Sequence, residues 1–288
     1  MSVRRPIRQF PPDSRPGDPL FLMPAGAVKK HDERCVTYAW LSDRALFGEV
    51  YRRLLPDYFD AMPRDSGVVV GSFIPTAEVV PGLAFPGDID VLVAPYEGDE
   101  LVLSQALAIE IKVIRASFAR QGKSPNQFGF SQAGALLEAG FPHAAVGHLV
   151  VSDQSPEHAW REIAVTTFLD ADSGACEIPH PARHDMLPGD LLQRAYGRLA
   201  HNCPDPLLGY FSAYPDCIGI WFPPGAPASC NPRMRMDVLE GIYAYYQRHH
   251  RHFLRTFRYP PGAPDAIRAP ERQDLPKRLL EKMRRDFP

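Results

Sequence analysis

The 288-residue chain is poor in cysteine. Its five Cys residues, Cys35, Cys176, Cys203, Cys217 and Cys230, are odd in number, scattered, and include no C-x-x-C pair. That argues against a disulfide framework and suits a reducing cytosol. No uninterrupted apolar run is long enough to cross a bilayer, and residues 1–19 are Arg- and Pro-rich without the apolar centre of a signal peptide. A soluble, cytoplasmic protein is expected. Net charge is almost absent, at −2, so composition as a whole makes no electrostatic case for nucleic acid. Internal repeats are absent too. The charge that exists is unevenly placed: residues 231–288 hold 13 Lys and Arg against 7 Asp and Glu. Such a segment suits either a phosphate backbone or a solvated helical face.

Proline, by contrast, is abundant, with 31 residues, and the apolar fraction of 45% allows a sizeable core. Pro6, Pro11, Pro12, Pro16, Pro19 and Pro24 work against regular structure, so residues 1–31 read as a flexible arm or surface strap. Ser42 is a candidate N-cap, with Leu46, Phe47, Val50, Tyr51 and Leu54 following at helical spacing. Apolar segments bounded by turn residues predict strands over 67–73, 88–94, 106–114 and 144–151. A helix is predicted over 127–139, closed by Gly140 and Pro142. Beyond residue 170 the pattern weakens to a short helix over 191–200, a strand over 217–222, a long helix over 236–257 and a last basic helix over 276–286. The fold class expected is α/β, a mixed central sheet flanked by helices, with a partly helical C-terminal extension.

The chemistry-bearing stretch runs from Gly87 to Lys112. It opens Gly87-Asp88-Ile89-Asp90 and ends Glu110-Ile111-Lys112, so two apolar strands carry carboxylates. Carboxylates within strands are costly unless something neutralises them, and a divalent cation is one answer. Glu110 and Lys112 share a strand face, and Asp90 on a neighbouring strand is placed to meet them. Two carboxylates and a main-chain carbonyl, that of Ile111, offer hard oxygen ligands for Mg2+ or Mn2+.

Over roughly residues 42–151 this arrangement resembles the PD-(D/E)XK nuclease superfamily, the restriction-endonuclease-like fold. Asp90 matches the family's strand-borne Asp, and Glu110-Ile111-Lys112 its E-x-K element. Glu49 is similar to the acidic residue that some branches place on the preceding helix, and Gln132 to the polar residue on the helix after E-x-K. The resemblance implies a Mg2+-dependent nuclease, a DNA endonuclease of restriction, antiviral defence or repair, with catalytic Asp90, Glu110, Lys112, Glu49 and Gln132. A homodimer or an activating partner protein is compatible with it. Arg115, Arg120 and Lys123 follow the E-x-K strand and are candidates to clasp backbone phosphates of nucleic acid. The implied organisation is an arm over 1–31, a nuclease core over 32–170 and an extension over 171–288 that packs on the core.

Two readings compete. One is a relative of the fold that binds nucleic acid or a partner protein without cutting; intact Asp90, Glu110 and Lys112 count against it. Gly129-Phe130-Ser131-Gln132-Ala133 is similar to the nucleophile turn of α/β-hydrolases, with Ala133 in place of the last Gly. That turn requires a strand immediately before it, and residues 120–127 are polar and broken by Gly122 and Pro125. Cys176, His180 and His184 recur every four residues and are weighed as a zinc site against a merely polar loop. His249, His250 and His252 are expected on the wet face of the long helix. Tyr243, Tyr245 and Tyr246 are expected in the core rather than on a base-stacking surface.

Overall fold

The computed structural model describes residues 2–12, 26, 29–125, 127–166, 168–170, 175–177, 179–215 and 222–258. The predicted strand over 217–222 falls almost wholly outside these residues, as does the basic helix over 276–286. The architecture is the expected mixed sheet with helices on both faces. Its elements, in order, are β1 (Arg4–Pro6), α1 (Glu33–Ser42), α2 (Arg44–Leu54), α3 (Pro56–Ala61), β2 (Ser66–Pro75), α4 (Thr76–Val79), β3 (Asp88–Glu97), β4 (Glu100–Val102) and β5 (Leu107–Arg115). There follow α5 (Phe130–Ala139), β6 (His143–Val151), β7 (Arg161–Val165), β8 (Phe168–Asp170), β9 (Ala175–Cys176), β10 (His180–His184) and α6 (Leu187–Asn202). The last are β11 (Gly209–Ala213), β12 (Gly225–Ala226), α7 (Met236–His249) and β13 (Leu254–Phe257).

β13, β2 and β3 lie side by side, antiparallel. The other edge of β3 is divided. Its C-terminal end pairs with β4, beyond which lies β1, while Val91, Leu92 and Val93 pair with Ile109, Ala108 and Leu107 of β5. From β5 the sheet continues through parallel β6 and β11 to β12. Parallel neighbours need a crossover, and α5 and α6 supply the two here. All nine residues of β6, HAAVGHLVV, are buried, as befits an interior strand covered on both faces. One face packs Leu92, Ala108 and Val146 beneath α5 and α7; the other packs Val91, Ile109 and Ile111 beneath α1 and α2. Each aliphatic side chain so buried contributes roughly 1.5–3 kcal/mol.

Several local expectations are corrected. Ser42 does not cap a helix start. Its hydroxyl donates to the Tyr38 carbonyl and ends α1, while Asp43 caps α2 by accepting from the N–H groups of Ala45 (3.1 Å) and Leu46 (2.9 Å). The helix α1 itself was not anticipated; Asp32 caps it and Val36, Trp40 and Leu41 are buried. The presumed arm contributes β1, and Val3 enters the core. The long helix over 236–257 stops at His249. After a turn the chain re-enters the sheet as β13, where Leu254–Phe257 covers the edge of β2 from Gly67 to Val70. A sheet edge this apolar needs a partner strand. Tyr245 and Tyr246 are buried as expected. The part beyond residue 170 is more than an appendage, since β11, β12 and β13 are strands of the same nine-stranded sheet.

Candidate active site

The ladder between β3 and β5 ends at the Val91–Ile109 pair. On the far side of β3, pairing with β2 skips from Ser72–Val91 to Ile74–Ile89. The skipped residues are Asp90 and Phe73, and Phe73 has φ 52°, an unusual and strained backbone for a bulky aromatic. The Phe73 ring is held by Tyr38 and by the Arg34 guanidinium of α1. Beyond this irregularity β5 has no β3 backbone partner, and the Asp90 carboxylate fills the gap. Its Oδ2 accepts from the Ile111 N–H at 2.7 Å. Within a strand a residue's N–H and C=O point to the same side, so the Ile111 carbonyl also faces the opening.

Even-numbered residues of β3 and β5 share the face beneath α5, which brings together Asp90, Glu110 and Lys112. Glu110 is 1% and Asp90 5% exposed, and their carboxyl groups are in hydrogen-bonding contact. Lys112 Nζ lies 2.6 Å from Glu110 Oε1. Burial pushes the Asp90 carboxyl up to about 8; the Glu110 and Glu33 charges add to this, against the Ile111 N–H and Lys112. Burial likewise raises Glu110, opposed by its bond to Lys112. For Lys112 burial works downward, but Glu110, Glu33 and Asp90 outweigh it and hold the ammonium above its ordinary value. Once both were ionised, the two buried carboxyls would outnumber the one ammonium. Asp90, Glu110 and the Ile111 carbonyl are the hard oxygen groups that would hold a divalent cation here.

Gly129, the residue before α5, has φ +93°, and a Cβ there would stand 3.0 Å from Glu110 Cγ and 3.6 Å from Lys112 Cγ. Only glycine allows the helix entry to sit this closely on the two side chains. Gln132, in the first turn of α5, is half-buried, and its Oε1 is enclosed without a hydrogen-bond partner. Ser131 is exposed at the same helix entry, reached by a loop rather than by a strand, since β5 ends at Arg115. The strand–turn–helix setting of a nucleophilic serine is therefore not met.

Of the acids on the helices, Glu33 is the one whose charge bears on Asp90, Glu110 and Lys112. The Glu49 carboxylate is taken by Arg53 (3.0 Å) and Arg52 (3.3 Å) of its own helix. Glu33 opens α1 and lines a cleft of about 500 Å³ with Lys112, Arg115, Lys123 and Gln127. Burial raises its carboxyl, while Lys112 and Arg115 pull the other way. Asp32 as a cap followed by Glu33, with Val36 and Trp40 one turn apart, was the sequence signal for it. Arg115 donates to the carbonyls of Lys30 and His31 and so braces the entry of α1. Lys123 lines the cleft, and Arg120 stands exposed in a turn closed on Ser117.

Among the described residues no three His, Cys, Asp or Glu side chains form a metal-holding group. His180 and His184 sit on β10, paired with β7, while the side chain of Cys176, the third residue of the zinc reading, lies outside what is described. No described helix is long and apolar enough to cross a membrane. No family model matches the chain, and no curated protein or solved structure does either.

Proposed function

We propose that this protein is a metal-dependent phosphodiester hydrolase, a nuclease acting on DNA, of the PD-(D/E)XK type. The observation that carries the reading is the convergence of Asp90, Glu110 and Lys112 where β3 and β5 part, beside an open cleft with basic walls. Asp90 and Glu110, with the Ile111 carbonyl, would hold the cation. A divalent ion bound there supplies Lewis-acid polarisation of the phosphate and a more acidic water. Lys112, only 19% exposed, presents its ammonium from the carboxylate pair towards the cleft. There it orients the attacking water or offsets charge growing on the phosphate oxygens. Glu33 lines the same cleft and its charge favours the Lys112 ammonium, and the enclosed setting strengthens these interactions relative to water.

The test is incubation with plasmid and oligonucleotide substrates in Mg2+, in Mn2+ and in chelator. Cleavage that needs the ion and vanishes in Asp90→Ala and Lys112→Ala supports the reading. Cleavage that survives chelation removes it. Binding without cleavage under all conditions identifies a non-cleaving relative of the fold.

A further inference from the structure

On β6, His148 stands opposite Lys112. It is fully buried, its Nε2 lies 3.1 Å from the Phe128 carbonyl, and its Nδ1 has no partner. Burial pushes its pKa down to about 4, and Arg198 and Lys112 both add to that fall. Arg198 is carried by α6, which packs against β6. It is half-buried, its Nε is enclosed without an acceptor, and among the described residues it makes no ion pair. One turn earlier Arg194 donates to Gln121 Oε1 at 2.9 Å. Gln121 belongs to the loop that also carries Lys123, Ser124 and Pro125 into the cleft wall. The nearest acid on the helix, Asp190, is taken by Arg161 at 2.8 Å.

A half-buried guanidinium without a carboxylate, next to a second arginine, is unfavourable unless an anion joins it. Desolvation, and to a smaller extent the neighbouring Arg194, depress the Arg198 guanidinium. Guanidinium groups bind phosphate oxygens in a fork and serve this purpose better than ammonium groups.

We propose that Arg194 and Arg198 form a phosphate subsite, continuous with the cleft, that grips the nucleic-acid backbone beyond the phosphodiester at Lys112. The subsite rests on the nuclease reading and names what that reading leaves open: the path of the substrate strand across α6 rather than across the basic tail. It recognises backbone phosphate and is blind to base sequence.

The test measures binding of a labelled 20-nucleotide DNA and of a dinucleotide by fluorescence anisotropy, in calcium buffer with substrate integrity checked, over a range of salt. Inorganic phosphate is the competitor that tests for a free-anion site. The expected result is about tenfold weaker binding of the 20-mer for Arg198→Gln and for Arg194→Gln. Each variant should also lower the salt slope by about 0.7–0.9, with dinucleotide binding unchanged. Arg194 is exposed, so its variant keeps the test open if Arg198→Gln fails to fold. Wild-type binding and cleavage with unaltered affinity and slope in both folded variants overturns the subsite alone. Equal loss for the dinucleotide, or full displacement by phosphate with no dependence on length, overturns the extended track. Failure of the wild type to bind either DNA removes the subsite together with the nuclease reading.

Discussion

The two ends of β5 are built from one strand and behave differently. At its start, Leu107, Ala108 and Ile109 are hydrogen-bonded to β3 on one side and β6 on the other, and all three are buried and apolar. At its finish, β3 has turned away, the β6 ladder runs on alone, and Asp90 makes the missing bond to Ile111. Where the ladder is closed the backbone is satisfied and side chains only pack. Where it opens, a carboxylate, an ammonium and a free carbonyl edge are gathered in a half-dry place. The lesson is that the site is made by interrupting the sheet, with the apolar end supplying the rigidity that makes interruption tolerable.

The comparison breaks most sharply if the open end can be altered without consequence. Asp90→Ala and Lys112→Ala are each expected to reduce cleavage at least about a thousandfold while leaving the circular dichroism spectrum unchanged. Full activity in either would show that the opening is mere irregularity. Next in size, Glu33→Gln should cost about 10–100-fold in kcat, as loss of a group that orients site residues does. Glu49→Gln, whose partners are Arg52 and Arg53, should stay within about twofold of wild type. Reversed ranks would return the helical acid to α2.

A third contrast concerns stability. The raised carboxyls of Asp90 and Glu110 mean that the open end is strained by its own charge when ionised. At about a hundred times its Kd, Mg2+ or Mn2+ should add about 2.7 kcal/mol, seen as a rise of several degrees in Tm. Asp90→Asn should abolish that rise; an undiminished shift would place the ion elsewhere. The smallest effect belongs to the closed end, where His143, paired with Leu107, faces the Ala106 carbonyl at 3.4 Å. Burial lowers its pKa to about 4. With the folded value below the unfolded 6.5, the unfolded chain takes up the proton first. Stability is therefore complete above pH 6.5 and lost as pH falls towards 4. About 1 kcal/mol should disappear between pH 7 and 5.5 in denaturant titrations, and His143→Leu should remove that portion of the slope.

Much of this was legible before any coordinates. The strands β2, β3, β5 and β6 announce themselves as apolar runs bounded by Gly, Pro and Asp, and α5 by its Gly140 stop. Asp90, Glu110 and Lys112 were visible as charges set in those runs. Less legible was α1, ten residues behind a Pro-rich stretch whose composition suggested no structure. The end of α7 was hidden because Tyr246, His249 and Phe253 continue a helical spacing that the open edge of β2 overrides. Gly129 read as part of a serine motif, whereas its absent Cβ is what lets α5 rest on Glu110.

Glu33 and Glu49 mark where the boundary falls. The chain's own pattern determined the layered α/β core, the strand identities and which face each charged side chain takes, because alternation and periodicity are local properties. Which helical acid bears on the cluster, where the β3–β5 ladder opens, and that Arg194 reaches Gln121 depend on how distant segments are docked. Local spacing carries no record of such docking, so those features were decided only when the sheet, with both its helical layers, was assembled.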